Sequence, residues 1–256
     1  MLPSVYIPPY KLFGYIPIHP FGVLVAIAVI VGFHLGRRRA THIGLDPDII
    51  ADGMFWVVVA AFVMAHLVSD ILYYPDEVRK NPLTLLAIWR GLSSFGGFIG
   101  GALGALLYFR WKKVSVLRYG EAIIFGLVPG WVIGRVGCTI VFDHPGRPTD
   151  FILGMADPSG VVRHNLGLYE MLLAVLLTVT LYSIRDKRPF DGFHPALVML
   201  IYTPARFFLD TLRVADATYF GLTPGQYFSA LLMAVALVWI IWGFRRGKAV
   251  DKQGPG

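Results

Sequence analysis

The sequence predicts an all-α integral membrane protein with about seven transmembrane helices. Three observations predict it. The composition is 56% hydrophobic and 15% charged over 256 residues, at a mean hydropathy of +0.63. A soluble domain of this length would need a polar coat that the chain lacks. Apolar runs long enough to cross a hydrocarbon core of about 30 Å recur at roughly 18–36, 50–73, 93–110, 121–142, 167–184, 193–211 and 225–244. The basic residues gather on alternate connections: Arg37–Arg38–Arg39; Arg110, Lys112, Lys113 and Arg118; Arg185, Lys187 and Arg188; Arg245, Arg246, Lys248 and Lys252. These are 14 of the 23 Lys and Arg residues. Basic connections face the cytoplasm, so the N-terminus is expected outside and the C-terminus inside. The net charge of +7 thus reads as membrane topology rather than as a nucleic-acid surface.

The first run has no basic stretch before it and no small-residue cleavage site before the arginine cluster, so it is expected to remain as a helix. The second carries His66, Asp70 and Tyr73 at i, i+4 and i+7, which places them on one stripe. A His–Asp pair there either satisfies itself or orients an imidazole as a base. The third run is short and glycine-rich. Gly96, Gly100 and Gly104, with Gly97 and Gly101 beside them, form small-residue stripes suited to close helix packing; a lining for a lipid path is the other reading.

The fourth run contains Arg135 with about six apolar residues after it, too far inside to reach the surface easily. Two readings stay open: a structural pair with Glu170 or Asp143, or a clamp for a phosphate, to which a guanidinium offers a planar fork of donors. Cys138, the single cysteine, reads as a small apolar filler and excludes a disulfide or a multi-cysteine metal site. The turn formers of Asp143–Asp150 and the polar residues up to His164 predict a small extracytoplasmic cap at roughly 143–166. Glu170 and Tyr169 open the fifth run, where a carboxylate also suits the helix dipole. On the sixth, Arg206 and Arg213 stand seven residues apart on nearly one face, with Asp210 able to pair with either. Arg213 begins a polar arm at roughly 212–224, where it can also snorkel to lipid phosphates before the last run.

No repeat or separately folding appendage interrupts residues 1–256, which read as one polytopic domain. No nucleotide-binding glycine loop, metal-binding HExxH or nucleophile elbow occurs, and no cofactor or metal is called for. A small-anion transporter would call for paired interrupted helices and inverted halves, which the sequence lacks.

Six ordered motifs carry a family resemblance: Asn81-Pro82-Leu83 leading to Gly96-Gly97; Gly134-Arg135-Val136-Gly137; Gly146-Arg147-Pro148-Thr149-Asp150; His164 with Leu168-Tyr169-Glu170; Arg206-Phe207 to Arg213; and Leu222-Thr223 with Gly225-Gln226. On a seven-run pattern, these make the chain resemble the prolipoprotein diacylglyceryl transferases. The resemblance implies transfer of the diacylglyceryl group of phosphatidylglycerol to the lipobox cysteine thiol of a lipoprotein precursor in the bacterial inner membrane. Glycerol phosphate is released. It implies that Arg135 and Arg213 act on the headgroup phosphate, that Arg206, Glu170 and Asp143 support them, and that Tyr169, Gly96, Gly97, Gly134, Gly137 and Gln226 bind substrate. Asp143 stands where the family has glutamate.

The chain also departs from the pattern. Cys138 and Val141 replace two family asparagines. Phe95 replaces a histidine or tyrosine before the paired glycines, and Phe21 replaces a tyrosine. The base for the incoming thiol must then lie elsewhere, with His66, His19 and His164 as candidates, or the arginines' field favours the thiolate. The alternative is a catalytically altered relative that binds or moves anionic phospholipid.

Overall fold

A computed structural model of the chain describes residues 2–3, 5–12, 15–87, 92–214 and 218–251. Lys252 and the side chains of Tyr73, Phe95 and Lys248 lie outside the described residues. All seven apolar runs are helices: α1 (Pro20–His42), α2 (Pro47–Tyr73), α4 (Ser94–Trp111), α5 (Val116–Val141), α6 (Leu166–Ser183), α7 (Phe193–Asp210) and α8 (Pro224–Asp251). A short α3 (Pro75–Lys80) and a 3-10 turn (Pro82–Leu86) follow α2. Five helices, namely α1, α2, α5, α6 and α8, are long and apolar enough to cross a membrane. The glycines of α4 and the His194, Pro204, Arg206 and Asp210 of α7 dilute the hydropathy of those two. Large apolar residues stand exposed along most of the helix faces, Ile30, Leu107 and Val238 among them, an extent of apolar surface that suits lipid rather than water.

The first helix is longer than its apolar run because Arg37–Arg39 continue it, basic side chains being favourable at a helix C-terminus. The fold is not purely helical. Strands β1 (Tyr10–Leu12) and β2 (Ile16–Ile18) make an antiparallel hairpin, and the expected cap holds β3 (Pro145–Pro148), β4 (Met155–Ala156) and β5 (Val162–Asn165) in the order β3-β5-β4. The prolines and glycines of 145–160 stop the helix but leave short extended pieces free to pair.

The chain forms two compact units, residues 1–35 with 124–256, and residues 36–123. The first has its core where Ile124, Phe125 and Val128 of α5 meet Leu177 and Leu181 of α6 and Val198 of α7. A Cβ on Gly32 would lie 3.0 Å from the Gly126 oxygen and one on Gly130 2.8 Å from the Ala28 oxygen, so α1 and α5 touch backbone to backbone. Under the cap, Phe142, Met155 and Leu168 form a second cluster. The start of α8 is a capping box. Gln226 N–H donates to Thr223 Oγ1 at 3.1 Å, Thr223 N–H donates to Gln226 Oε1 at 3.0 Å, and Pro224 takes the first helical position.

In the second unit α4 lies against α2. A Cβ on Gly96 or Gly100 would come 2.3 Å from the Met64 or Ala60 oxygen, and one on Gly104 2.7 Å from the Ala60 Cβ. This stripe is a packing surface, as small residues at that spacing allow. Its other end is closed by Phe109, packed on Tyr108 and Tyr119.

Candidate functional site

Three arginines and two carboxylates of the first unit form one chain of contacts. On α5, Arg135 Nη2 lies 2.5 Å from Glu170 Oε2 of α6. Arg206 of α7 links the carboxylates, with Nη1 2.8 Å from Glu170 Oε1 and Nη2 3.0 Å from Asp210 Oδ1. Arg213 Nη1 is 3.6 Å from that same Asp210 oxygen. The spacing of seven on α7 thus brings both arginines to the acid between them. Of the two readings of Arg135, its pair with Glu170 is made in the structure, and it does not exclude a ligand.

The carboxylates are the buried members. Glu170 and Asp210 side chains are 1% and 0% exposed, against 13%, 16% and 27% for Arg135, Arg206 and Arg213. Burying a carboxylate is tolerable only with charge and hydrogen bonds around it. Tyr202 Oη donates to Glu170 Oε2 at 3.3 Å, and Thr223 Oγ1 donates to Asp210 Oδ2. A Cβ on Gly225 would stand 2.6 Å from Asp210 Oδ2, so glycine is what lets α8 approach that acid. Within these five residues three guanidiniums face two carboxylates, with the cations on the more open side, and the charge of the exposed Asp143 also reaches Arg135 and Arg213. Arg135 Nε is buried without a hydrogen-bond partner among the described residues, and its guanidinium carbon lies 5.9 Å from the Trp131 ring centre. The arrangement suits a phosphate, which a guanidinium fork can hold.

The cap closes on this cluster through its backbone. Arg147 N–H donates to the Leu212 carbonyl at 2.8 Å, and Gly146 bridges to Arg213. A Cβ on Gly146 would lie 2.7 Å from His164 Cβ, which accounts for the glycine of that motif. His164 Nδ1 is 2.7 Å from Tyr169 Oη. Burial pulls His164 below the usual histidine range, which favours the uncharged imidazole.

Asp143 is exposed just past α5, 3.2 Å from His144 Nδ1. His144, with the charges of Arg135 and Arg213, holds that carboxyl below its usual range. Burial pulls His144 down, but contacts with Asp143 and Cys138 more than reverse it, to about 9. Arg135 Nη1 donates to Cys138 Sγ at 3.6 Å, so the cysteine is no mere filler.

The remaining expected residues have other surroundings. Gln226 is buried, its side chain taken up by the α8 cap and, at 3.4 Å, by the Phe207 carbonyl, so its observed role is to shape the backbone. Gly134 has open space where a Cβ would stand, beside Arg135, whereas Gly137 packs on Phe21. His66 belongs to the second unit. It is buried 3.8 Å from Asp70, beyond hydrogen-bond reach. Gly96 and Gly97 lie in that unit too, with Gly96 in the helix contact. The sequence reading missed Tyr202, one turn before Arg206 on the same face, and His144, whose neighbour Asp143 was its only signal.

A family model described as prolipoprotein diacylglyceryl transferase matches residues 10–242. Among curated proteins, the phosphatidylglycerol–prolipoprotein diacylglyceryl transferase of Pseudoalteromonas atlantica is 30% identical over 92% of this chain and 88% of its own. The one from Nostoc sp. is 28% identical over 94% and 91%, and the one from Oceanobacillus iheyensis 26% over 94% and 88%.

Proposed function

The chain belongs to the prolipoprotein diacylglyceryl transferase family, and from that premise we propose that it transfers the diacylglyceryl group of phosphatidylglycerol to the lipobox cysteine of a lipoprotein precursor. The thiol sulfur forms a bond to the glyceryl carbon, and the carbon–oxygen bond to phosphate breaks. Glycerol phosphate leaves with the bonding electrons, and the product is a thioether. The observation that carries this reading is the Arg135–Glu170–Arg206–Asp210–Arg213 chain, whose three guanidiniums on its more open side and unmet Arg135 Nε favour the charge that grows on the leaving phosphate. Glu170 and Asp210 fix the guanidinium forks, so little reorganisation is left for the reaction. His164, held by Tyr169 and favoured by burial in its uncharged form, is one base within the same unit for the incoming thiol.

All seven long helices span the bilayer on this reading, α4 and α7 with their polar residues covered by protein, and the whole chain works as one membrane domain. The arginine-rich ends face the cytoplasm, the N-terminus and the cap lie outside, and the arginine cluster meets lipid in the outer half of the bacterial inner membrane. The membrane then supplies one substrate and tethers the other.

A second reading, a relative that binds anionic phospholipid without forming the thioether, rests on Phe95 and Phe21, whose rings have no acid, base or hydroxyl group. Complementation of a strain depleted of its own transferase separates the two. Growth with the wild-type chain, lost with Arg135→Ala at equal membrane abundance, is the expected result. No growth despite correct insertion, with phosphatidylglycerol binding retained, would establish the second reading.

A further inference from the structure

Beside the arginine cluster, the end of α5 gathers a thiol, a carboxylate and an imidazole. One ligand atom each of Cys138, Asp143 and His144 falls within 4.8 Å of the others. A backbone device makes this meeting. Phe142 takes a left-handed conformation, φ 52°, with its ring fixed in the cluster with Met155 and Leu168. The chain therefore turns back on itself, and Asp143 N–H donates to the Cys138 carbonyl at 3.2 Å. A non-glycine residue in that region is held there by its surroundings. His144 is tied in from the other side, its carbonyl accepting from Leu166 N–H at 3.3 Å. Gly167 brings α6 onto the cysteine, for a Cβ there would lie 3.0 Å from the Cys138 Cβ.

We infer that Cys138, Asp143 and His144 form a binding site for a divalent metal ion of the zinc type, with an open fourth position that takes the incoming substrate thiol. One sulfur, one nitrogen and one oxygen donor match zinc, whereas magnesium and calcium take oxygen alone. Zinc bonds of about 2.0–2.3 Å require the donor atoms to close to roughly 3.5 Å apart, a contraction that side-chain rotation can supply. The thiolate and carboxylate neutralise the ion. Arg135, whose Nη1 donates to Cys138 Sγ at 3.6 Å and which also pairs with Glu170, gives up the sulfur contact when the ion binds. Cys138 is buried while Asp143 is exposed, so the ion has a route in and an open side. The inference rests on the transferase reading for the identity of the thiol but not for the site itself.

With the ion in place, a substrate thiol takes the fourth position and loses its proton to solvent, with no need of His164 as base, because a metal-bound thiol is deprotonated at neutral pH. The bound sulfur then attacks the glyceryl carbon, and phosphate leaves with the electron pair toward the arginines. No proton on position 95 is needed, which makes Phe95 compatible with turnover.

Cobalt titration of the detergent-solubilised full chain tests the site. One cobalt per chain is expected, with a thiolate-to-metal absorption band that Cys138→Ser removes and His144→Ala weakens at least tenfold in affinity. Adding a lipobox cysteine peptide should intensify the band, and its cysteine-to-serine analogue should not. Substoichiometric cobalt, a band that survives Cys138→Ser, or a band indifferent to the peptide thiol overturns the site. Undiminished transfer by chain shown to be metal-free overturns the ion's role. If cobalt and peptide behave as expected but no diacylglyceryl transfer occurs with zinc restored, the transferase reading falls and the metal site stands.

Discussion

Glu170 and Arg213 carry different duties in the same cluster. Glu170 is enclosed and holds both Arg135 and Arg206, so Glu170→Ala leaves two largely buried guanidiniums short of a partner. Removing one partner of a buried pair costs about 3–5 kcal/mol, and thermal unfolding in detergent should show a loss of that size. Arg213 is the more open end of the chain of contacts. Arg213→Ala should change stability by less than about 1 kcal/mol while lowering transfer at least a hundredfold, as loss of a leaving-group contact does. Arg135, Glu170, Arg206 and Asp210 were legible in the sequence because an ionisable residue in an apolar run needs a partner or a purpose. Which acid took Arg135 was not legible, since that choice depends on how α5, α6 and α7 meet. Gln226 shows the opposite limit: its motif suggested a ligand contact, and the local geometry makes it half of a capping box.

At the level of elements, the glycines of α4 are unequal in a way that spacing alone does not reveal. A Cβ on Gly100 meets the Ala60 oxygen at 2.3 Å, whereas one on Gly101 meets only side-chain carbons, the nearest at 3.7 Å. Gly100→Ala should therefore force α2 and α4 apart at a cost of about 1–3 kcal/mol, and Gly101→Ala should be nearly neutral. Equal melting temperatures for the two variants would contradict the packing. In the cap, Asp157 binds its own loop, accepting from Ser159 Oγ at 2.5 Å, from Arg163 Nε at 2.8 Å and from two backbone N–H groups. The Ser159 hydroxyl first, then Arg163 and the N–H groups, hold its carboxyl down at about 2. Its folded value lies below the ordinary 3.8, so the stabilisation is complete above that value and disappears as pH falls through about 2. Amide exchange of Ser159 and Val161 should stay slow at pH 4 and accelerate below pH 3, with Asp157→Asn fast throughout. Hydrophobic length places most helix ends within about three residues, but it misses the start of α5 and the C-terminal ends of α1 and α8 by five to seven, where charged residues continue the helix past the apolar run. The strands of the cap were not, because two- to four-residue pieces have no periodicity to read.

For the whole molecule, the family and the charge network point to one reaction between a lipid and a peptide that share a membrane. Composition made the membrane legible. The pairing of Cys138 with Asp143 and His144 was invisible, because it depends on the reversal at Phe142 after the helix ends. The most direct measurement is the intact mass of a lipobox peptide incubated with the purified chain in vesicles with and without phosphatidylglycerol. The expected result is a mass gain of one diacylglyceryl group, on the cysteine, only with phosphatidylglycerol present and lost with Arg135→Ala. An unmodified peptide from folded, lipid-loaded wild-type protein, or a gain that Arg135→Ala leaves intact, would contradict the assignment of the arginine cluster as the site of transfer.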